Sequence, residues 1–437
     1  MSEHVNSYYA ATMSGKVTRA PLAARETAEV CVVGAGFAGL STALELARRG
    51  VSVVVLEANR VGWGASGRNG GFVTAGFALG LEALSAEVGL DSARELYRLS
   101  RDGVNLVSGN IEALMLDTAE QRSGFVAVMR TDTEQAVREQ RDALERDFGH
   151  VTELWPTEQV RTHLKTQTYF QGLYDAEALH IHPLNYAIGL AAGCEAAGVS
   201  IFEGCPAIGI EPDGAGYRVM ALDGSVTARH VVLTHSAYGQ GLSRTLDAAV
   251  LPVATYVVTT KPDPGLLAGA ITTEAAIADT RRAGDYYRVL PDGRLMWGGR
   301  ITTQRSEPAR LAAMLKRDIV AIYPQLAPIE IDHAWSGLMA YAVHKMPIIG
   351  SLGEGLWMAS AFGGHGLNTT AMAGHLIAGA IAEGDDRYRL FERFGPTWAG
   401  GVAGRAATQI AYWSYQARDW LEERRARSSS QSAGARA

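Results

Sequence analysis

Three glycines near the N-terminus have the spacing of a turn that binds the pyrophosphate of a dinucleotide. Gly34, Gly36 and Gly39 follow an apolar run at 30–33 and open a stretch of helical character at 40–49. The first glycine allows the bend, the second lets the backbone approach the pyrophosphate, and the third lets the helix pack on the strand. The anion then lies at a helix N-terminus, where N–H groups and the helix dipole favour negative charge.

An acidic residue completes this pattern. Residues 51–56 have the composition of a second buried strand, and Glu57 follows it, where a carboxylate can bind ribose hydroxyls. Strand, glycine turn, helix, strand and acid in this order predict a βαβ unit over 29–58 that binds the ADP half of a dinucleotide. The less favoured alternative is a tight turn without a cofactor. Residues 62–67 repeat the glycine spacing without a preceding strand, so we expect no second nucleotide module for NAD(P)H.

The remaining elements alternate between helix and strand. Helices are predicted over 131–148, 183–198, 311–323 and 368–383, and strands over 125–129, 217–222, 226–233, 253–260, 285–290, 332–341 and 356–360. This alternation predicts an α/β fold, in which a nucleotide-binding domain built from separated segments is interleaved with a β-rich substrate domain.

Composition excludes several classes of function. The chain has 437 residues and a net charge of −6, which argues against nucleic acid as a partner. Its three cysteines, Cys31, Cys194 and Cys205, are too few and too scattered for a disulfide framework or a zinc site, and we expect no metal. We find neither a signal peptide nor an apolar run of transmembrane length, so we expect a cytoplasmic protein without a transmembrane segment.

Further motifs carry a resemblance to a known family. They are the glycine-rich runs at 64–71 and 363–366, together with 180–185, 285–288 and 335–337. With the first glycine turn, they resemble the D-amino acid oxidase/sarcosine oxidase (DAO) superfamily of FAD-dependent enzymes, most closely its γ-glutamylputrescine oxidase branch. The resemblance implies a Rossmann-like FAD-binding domain of the glutathione-reductase type and a β-rich α+β substrate domain.

The resemblance also implies domain boundaries. The FAD-binding domain would comprise 29–80, 150–245 and 330–390, and the substrate domain 81–149 and 246–329. A C-terminal helical segment at 391–424 would be followed by a disordered tail at 425–437.

In this family the FAD is held by three glycine-rich turns, the acid after the second strand and one backbone contact to adenine. The matching residues here are Gly34, Ala35, Gly36, Phe37, Ala38, Gly39, Glu57, Ala58, Trp63, Gly64, Ala65, Ser66, Arg68, Asn69, Gly70, Gly71, Ala207, Gly363, Gly364, His365, Gly366, Leu367 and Asn368. Arg68 would neutralise phosphate or lie near the ring, with a surface ion pair as the alternative. Met339 stands where relatives carry a flavin-linked cysteine, so we expect non-covalent FAD.

Catalytic and substrate residues are less firmly indicated. His365 is a candidate base, with a packed histidine in the turn as the alternative. Tyr286, Tyr287 and Trp335 are candidate walls of the substrate pocket, and Tyr287 and Trp335 are also catalytic candidates. A purely structural role for each aromatic residue stays open.

The resemblance implies oxidation of the C–N bond of a small amine, resembling γ-glutamylputrescine. A hydride would pass to flavin N5, the imine would hydrolyse to an aldehyde, and O2 would be reduced to H2O2. Asn368 replaces a lysine that binds a substrate carboxylate in sarcosine oxidases, and Met296 replaces a lysine that helps to activate oxygen.

A dehydrogenase of a secondary amine, imino acid or N-methyl amino acid, passing electrons to a quinone or a carrier protein, is therefore the alternative. In that case the aromatic and arginine residues of 410–425 could contact a membrane or a partner, although packing on the body of the protein is favoured. A third alternative is a non-catalytic flavoprotein or an FAD-dependent modifier of tRNA or another macromolecule, and the acidic charge disfavours RNA.

Overall fold

The structure is a computed structural model that describes residues 2–15, 17–239, 241–282, 284–303 and 310–434, with side chains as far as residue 424. The strands are β1 (Arg25–Val33), β2 (Val53–Leu56), β3 (Phe72–Val73), β4 (Arg122–Val128), β5 (Glu153–Trp155), β6 (Gly172–His180), β7 (Ser200–Phe202), β8 (Gly209–Asp213), β9 (Gly216–Met220), β10 (Ser225–Leu233), β11 (Leu251–Thr260), β12 (Ala276–Asp279), β13 (Tyr286–Val289), β14 (Leu295–Thr302), β15 (Ile331–Tyr341), β16 (Ile348–Gly353) and β17 (Leu356–Ser360). The α-helices are α1 (Tyr8–Ala11), α2 (Phe37–Arg48), α3 (Leu81–Val88), α4 (Leu90–Ala113), α5 (Glu134–Phe148), α6 (Thr157–His163), α7 (Pro183–Ala196), α8 (Arg244–Ala249), α9 (Pro264–Ala268), α10 (Leu311–Ile322), α11 (Gly366–Glu383) and α12 (Gly401–Gly434).

The chain forms two compact units. The first contains Met1–Gln121, Ile181–Val253 and Gly337–Gly401, and the second contains Arg122–His180, Ala254–Ser336 and Val402–Ala437. The mixture of sheets and helices confirms the predicted α/β fold. Within the described part of the chain, no helix has both the length and the apolar composition needed to cross a bilayer.

The sheet of the first unit is built around the predicted βαβ unit. Its strand order is β16-β17-β10-β1-β2-β7, and β1 pairs in parallel with β10 on one side and β2 on the other. The apolar end of β1, from Val30 onward, is buried, as expected for a central parallel strand covered on both faces. Helix α2 packs against α7 and α11. The carboxyl end of β1 is thereby fixed at the turn that carries the three glycines.

The sheet of the second unit has the order β15-β11-β14-β13-β12-β4-β6. One face is covered by an apolar cluster, to which β13 contributes Tyr287, β14 contributes Trp297, and α10 contributes Leu315 and Ile319. We call this the core face. Because successive side chains of a strand point to opposite sides, residues adjacent to these in sequence lie on the second face of the sheet.

The unit boundaries differ from those expected from the sequence. Residues 81–121 belong to the first unit because α4 packs closely on α11, where a Cβ at Gly103 would lie 2.3 Å from the Asn368 carbonyl oxygen. Residues 150–180 belong to the second unit because β6 pairs with β4, with Phe125 opposite Asp175. Both assignments depend on pairings between distant segments, which local patterns do not specify.

The C-terminal segment also differs. Helix α12 continues to Gly434, whereas a disordered tail was expected from residue 425, and residues 435–437 lie outside the described residues. Alanine and arginine are frequent in 401–427, and their helix propensity is high, which accounts for a longer helix than the serine-rich tail suggested.

Candidate nucleotide site and the second face of the substrate sheet

The first glycine turn has the conformation that its sequence predicts. Gly34 has φ +108°, which an L-residue rarely adopts. A Cβ at Gly39 would lie 1.9 Å from the Gly34 carbonyl oxygen and 2.7 Å from Thr234 Oγ1. Helix α2 begins after Gly36, which has no side chain to cap it, and the N–H groups of its first turn that follow Phe37 can bind an anion.

Glu57 lies beside this turn at the end of β2. Its Oε2 accepts a hydrogen bond from Ala35 N at 2.8 Å, and its Oε1 accepts one from Asn59 N at 2.8 Å. Burial raises the pKa of Glu57, an effect that these two backbone donors oppose. Each carboxylate oxygen has a second lone pair, so the group can still accept hydrogen bonds from two ribose hydroxyls. The next residue, Ala58, is exposed.

The second glycine-rich loop folds over the start of α2. Ser66 Oγ accepts a hydrogen bond from Phe37 N at 2.9 Å, within a short 3-10 turn over Ala65–Gly67. The side chain of Asn69 is hydrogen-bonded to the backbone of this loop. Its amide nitrogen donates to the carbonyl oxygen of Ser66, and its Oδ1 accepts a hydrogen bond from Gly71 N at 2.8 Å. This loop therefore belongs to the first nucleotide site rather than forming a second one.

Arg68 and Trp63 pack together on the same loop. Arg68 Nε donates to the Trp63 carbonyl oxygen at 2.9 Å, and the guanidinium carbon lies 4.4 Å from the centroid of the Trp63 ring. Tyr238 meets Trp63 edge-on at 5.4 Å and accepts a hydrogen bond from Leu338 N through its hydroxyl. Arg68 is thus held against the aromatic rings of Trp63 and Tyr238. Tyr238 also packs on Gly64, where a Cβ would lie 3.1 Å from its ring.

The third glycine turn precedes α11. Gly363 has φ +61°, and a Cβ there would lie 2.9 Å from the Ala78 Cβ and 3.1 Å from Tyr341. Gly364 donates its N–H to the Tyr341 hydroxyl. Helix α11 starts at Gly366 with no side-chain cap, so its first N–H groups form a second anion-binding end.

Two side chains at the start of α11 differ from their expected roles. Burial lowers the pKa of His365 to about 4, so its imidazole is neutral at neutral pH and matched poorly to general-base catalysis. Its Nδ1 lies 3.5 Å from Thr74 Oγ1. The Asn368 amide donates to the Ser100 carbonyl oxygen at 3.1 Å, which ties α11 to α4. Asn368 and Leu367 can therefore contribute to an anion site only through their backbone N–H groups.

These residues fit a dinucleotide. A helix N-terminus without a side-chain cap stands at each of two glycine turns in the first unit, and a buried carboxylate with spare lone pairs stands beside the first turn. The predicted adenine contact, Ala207, is half-buried between the hydrogen-bonded residues Cys205 and Ile208. Gly70 and Gly71 continue the second loop toward Ile181, which donates its N–H to the Gly71 carbonyl oxygen at 2.8 Å.

In the second unit, Tyr286 and Tyr287 lie on opposite faces of β13. Tyr287 is 0 % exposed, stacks on Trp297 at 4.1 Å and shares a hydrogen bond of 2.8 Å with the Tyr323 hydroxyl. The side chain of Tyr287 is part of the core face, which favours the structural role over a place in the substrate pocket or in catalysis. Tyr286 lies on the second face, where its ring crosses Gly298 on β14.

The second face also carries an arginine that we did not predict as a site residue. Arg288 is buried two residues after Tyr286, opposite Met296. Its Nη1 lies 3.0 Å from His180 Nδ1, and His180 Nε2 lies 2.9 Å from the Glu274 carbonyl oxygen. His180 therefore carries its proton on Nε2 and accepts a hydrogen bond from Arg288. Burial and the neighbouring Arg288 lower the pKa of His180 to about 3.

A neutral histidine thus accepts a hydrogen bond from the buried Arg288 guanidinium on the second face. The resemblance included both 180–185 and 285–288, but only the pairing of β6, β4, β12 and β13 brings these segments together. Trp335 is fully buried on β15, in phase with His333, whose Nδ1 lies 3.4 Å from Thr259 Oγ1. Thr259 pairs with Met296, so Trp335 also belongs to the second face.

Comparison with known families agrees with the nucleotide site. Residues 29–380 match the family described as DAO, FAD dependent oxidoreductase. The chain is 31% identical over 422 residues to the probable oxidoreductase OrdL of Haemophilus influenzae, covering 95% of this chain and 97% of that protein. It is also 31% identical over 393 residues to the gamma-glutamylputrescine oxidoreductase of Escherichia coli, covering 90% and 92%.

Solved structures show the same fold. Glycine oxidase from Geobacillus kaustophilus superposes with a TM-score of 0.71 at 21% identity, covering 85% of this chain and 99% of that one. L-proline dehydrogenase from P. horikoshii also gives a TM-score of 0.71, at 19% identity, covering 85% and 100%.

Proposed function

The chain belongs to the DAO family of FAD-dependent oxidoreductases, and on that premise we propose that it oxidises the C–N bond of a γ-glutamylputrescine-like amine. The observation that supports the choice of substrate is the buried Arg288 guanidinium, which is hydrogen-bonded to neutral His180 on the second face of the sheet in the second unit. A buried positive charge in that position favours a substrate with an anionic group.

The reaction divides between cofactor and chain. FAD, when bound, supplies the acceptor for a hydride from the carbon next to the terminal nitrogen, and water then hydrolyses the imine to an aldehyde and ammonia. The chain binds and orients the cofactor and the substrate. The N-terminus of α11 presents backbone N–H groups and the positive end of the helix dipole, which would stabilise the negative charge of the reduced cofactor. Because the pKa of His365 is about 4, we expect the substrate amine to bind already deprotonated.

The position of the carboxylate distinguishes substrate classes. An amino acid substrate carries its carboxylate on the reacting carbon, whereas a γ-glutamyl diamine carries it at the end remote from the reacting nitrogen. The Asn368 amide is engaged with Ser100 and offers no charge for the first type. A substrate carboxylate of the second type that reaches Arg288 would form paired hydrogen bonds with its guanidinium. Tyr286, which is half-buried on the same face, would supply an apolar surface for the chain between.

Anaerobic mixing tests the reaction. The purified flavoprotein is mixed with γ-glutamylputrescine, putrescine, sarcosine or proline while the absorbance of oxidised flavin is followed. Rapid bleaching by γ-glutamylputrescine and slow bleaching by the others is expected. Bleaching only by sarcosine or proline would show that the substrate is an amino acid. No bleaching in the presence of bound FAD would exclude all four compounds as substrates.

Replacing Arg288 tests substrate recognition. Hydrogen bonds to charged groups contribute about 1.5–3 kcal/mol, so Arg288→Met should raise KM for γ-glutamylputrescine roughly 10- to 100-fold. KM for putrescine, which has no carboxylate, should change little. Arg288→Lys should restore part of the loss, since it keeps the charge without the planar fork.

The matched control is Arg294→Met. Arg294 is bonded to Asp292 at 2.9 Å and to Asp332, near the turn between β13 and β14. A similar rise of KM in Arg294→Met and Arg288→Met would assign the effect to the fold of the hairpin rather than to substrate recognition.

A dehydrogenase is the second candidate. Met296 is fully buried on the second face, where relatives resembling sarcosine oxidase carry a lysine that helps to activate oxygen. Admitting air to the substrate-reduced protein separates the two: return of the oxidised spectrum within seconds indicates an oxidase that forms H2O2. Reoxidation only after addition of a quinone analogue indicates a dehydrogenase.

A further inference from the structure

Helix α12 presents a large apolar surface to solvent. Five residues form this surface, which we call the apolar face of α12: Val402 (74 % exposed), Ile410 (61 %), Trp413 (59 %), Trp420 (57 %) and Leu421 (44 %). At about 100° per residue they lie within a sector of about 100° on one side of the helix, and they extend for about 28 Å. Several large apolar side chains exposed along one side of a helix are typical of an interaction site.

The acidic residues of α12 are paired with arginines of the second unit. Asp419 bonds Arg282 at 2.7 Å, and Glu423 bonds Arg130 at 3.0 Å. Glu422 also bonds Arg282, at 3.2 Å, and its side chain stays half exposed. Arg418 and Arg424 are exposed, and the Arg424 guanidinium carbon lies 5.2 Å from the centroid of the Trp420 ring.

The sequence continues the basic character beyond the described side chains. Arg425 and Arg427 follow directly. An apolar stripe rich in tryptophan and bordered by arginine, whose neighbouring carboxylates are paired with arginines of the same unit, is typical of helices that lie in the interface of an anionic bilayer.

We propose that the apolar face of α12 binds the surface of a membrane that contains anionic phospholipids. The tryptophans enter the headgroup region, the arginines bind lipid phosphates, and Arg130 and Arg282 hold the acidic side of the helix on the enzyme. The helix lies on the bilayer and does not cross it, in keeping with the absence of a spanning helix among the described residues. This inference is independent of the amine substrate.

Flotation of the FAD-loaded protein with vesicles tests the proposal. Vesicles of phosphatidylcholine mixed with phosphatidylglycerol should carry the protein upward, and vesicles of phosphatidylcholine alone should do so less. Removal of both tryptophans, W413A with W420A, should weaken binding at least about tenfold. Removal of each arginine, R418Q or R424Q, should weaken it about fivefold, and added salt should act in the same direction.

The control is Leu222→Ala, which removes an apolar side chain that is 70 % exposed in the first unit. It should bind as the wild type does, and amine oxidation without vesicles should be unchanged in every variant. Absence of flotation with anionic vesicles, or equal flotation of wild type and the double tryptophan variant, would overturn the proposal. Loss of a dimer in that variant, measured by sedimentation velocity without vesicle binding, would assign the face to contact between two copies instead.

Discussion

Replacing Gly39 with alanine tests the packing that creates the nucleotide site. A Cβ at this position would lie 1.9 Å from the Gly34 carbonyl oxygen, and real Cβ atoms essentially never approach another atom closer than 3.0 Å, so the helix and turn must separate by at least 1.1 Å. Overpacking costs about 1–3 kcal/mol, and the upper end applies because a main-chain oxygen cannot rotate away. Alanine regains about 1 kcal/mol of helix propensity, which leaves a net loss of about 2 kcal/mol.

Gly109→Ala is the matched control. Gly109 lies inside α4 with nothing within 4 Å of its Cβ position, so the same change should stabilise the protein by up to about 1 kcal/mol. The assays are the thermal midpoint, followed by circular dichroism, and the flavin-to-protein absorbance ratio. Gly39→Ala should melt about 2 °C or more below the wild type and lose flavin on gel filtration. A Gly39→Ala protein that keeps its full flavin content and melts at or above the wild-type midpoint would refute this reasoning.

Three further predictions follow from individual side chains. The pKa of His180 falls from 6.5 to about 3 on folding, through burial and Arg288, so the unfolded chain binds the extra proton. Stability should therefore decrease as the pH falls from 6.5 toward 3, and urea unfolding of His180→Gln should show a shallower dependence. Tyr287→Phe removes the bond to Tyr323 and should cost about 1–2 kcal/mol without changing KM, whereas a raised KM would contradict the core assignment. His365→Asn should lower kcat less than about tenfold, because a histidine with a pKa of about 4 is matched poorly to general-base catalysis. A fall of about 100-fold or more, which loss of a general base produces, would contradict this.

Local patterns predicted the nucleotide-binding unit well. The two strands, the helix and the glycine turn lie within residues 25–57, so steric limits on a short segment specify them. The α/β fold, the helix after residue 366 and the DAO family followed from signals of the same kind. The unit boundaries did not, because α4 and β6 join their units through contacts with segments far away in sequence.

The aromatic candidates show where local reasoning stops. Strand periodicity already requires Tyr286 and Tyr287 to point to opposite faces. Which face is covered depends on α10 and on Trp297, which pack on the side of Tyr287. The sequence pattern therefore indicated Tyr286 and Tyr287 equally as walls of the substrate pocket. The tertiary structure places Tyr287 in the core face and leaves Tyr286 as the candidate.

The class of cofactor follows from a short segment, because a dinucleotide turn needs only neighbouring residues of the right size and conformation. The charge of the proposed substrate site depends on folding, because Arg288 and His180 are 108 residues apart and meet through four paired strands. The tertiary structure also decided that the aromatic side of α12 is exposed, since that depends on which side its acidic residues bind. Bond geometry and steric exclusion act within a segment, whereas burial and electrostatic environment arise from segments brought together by folding.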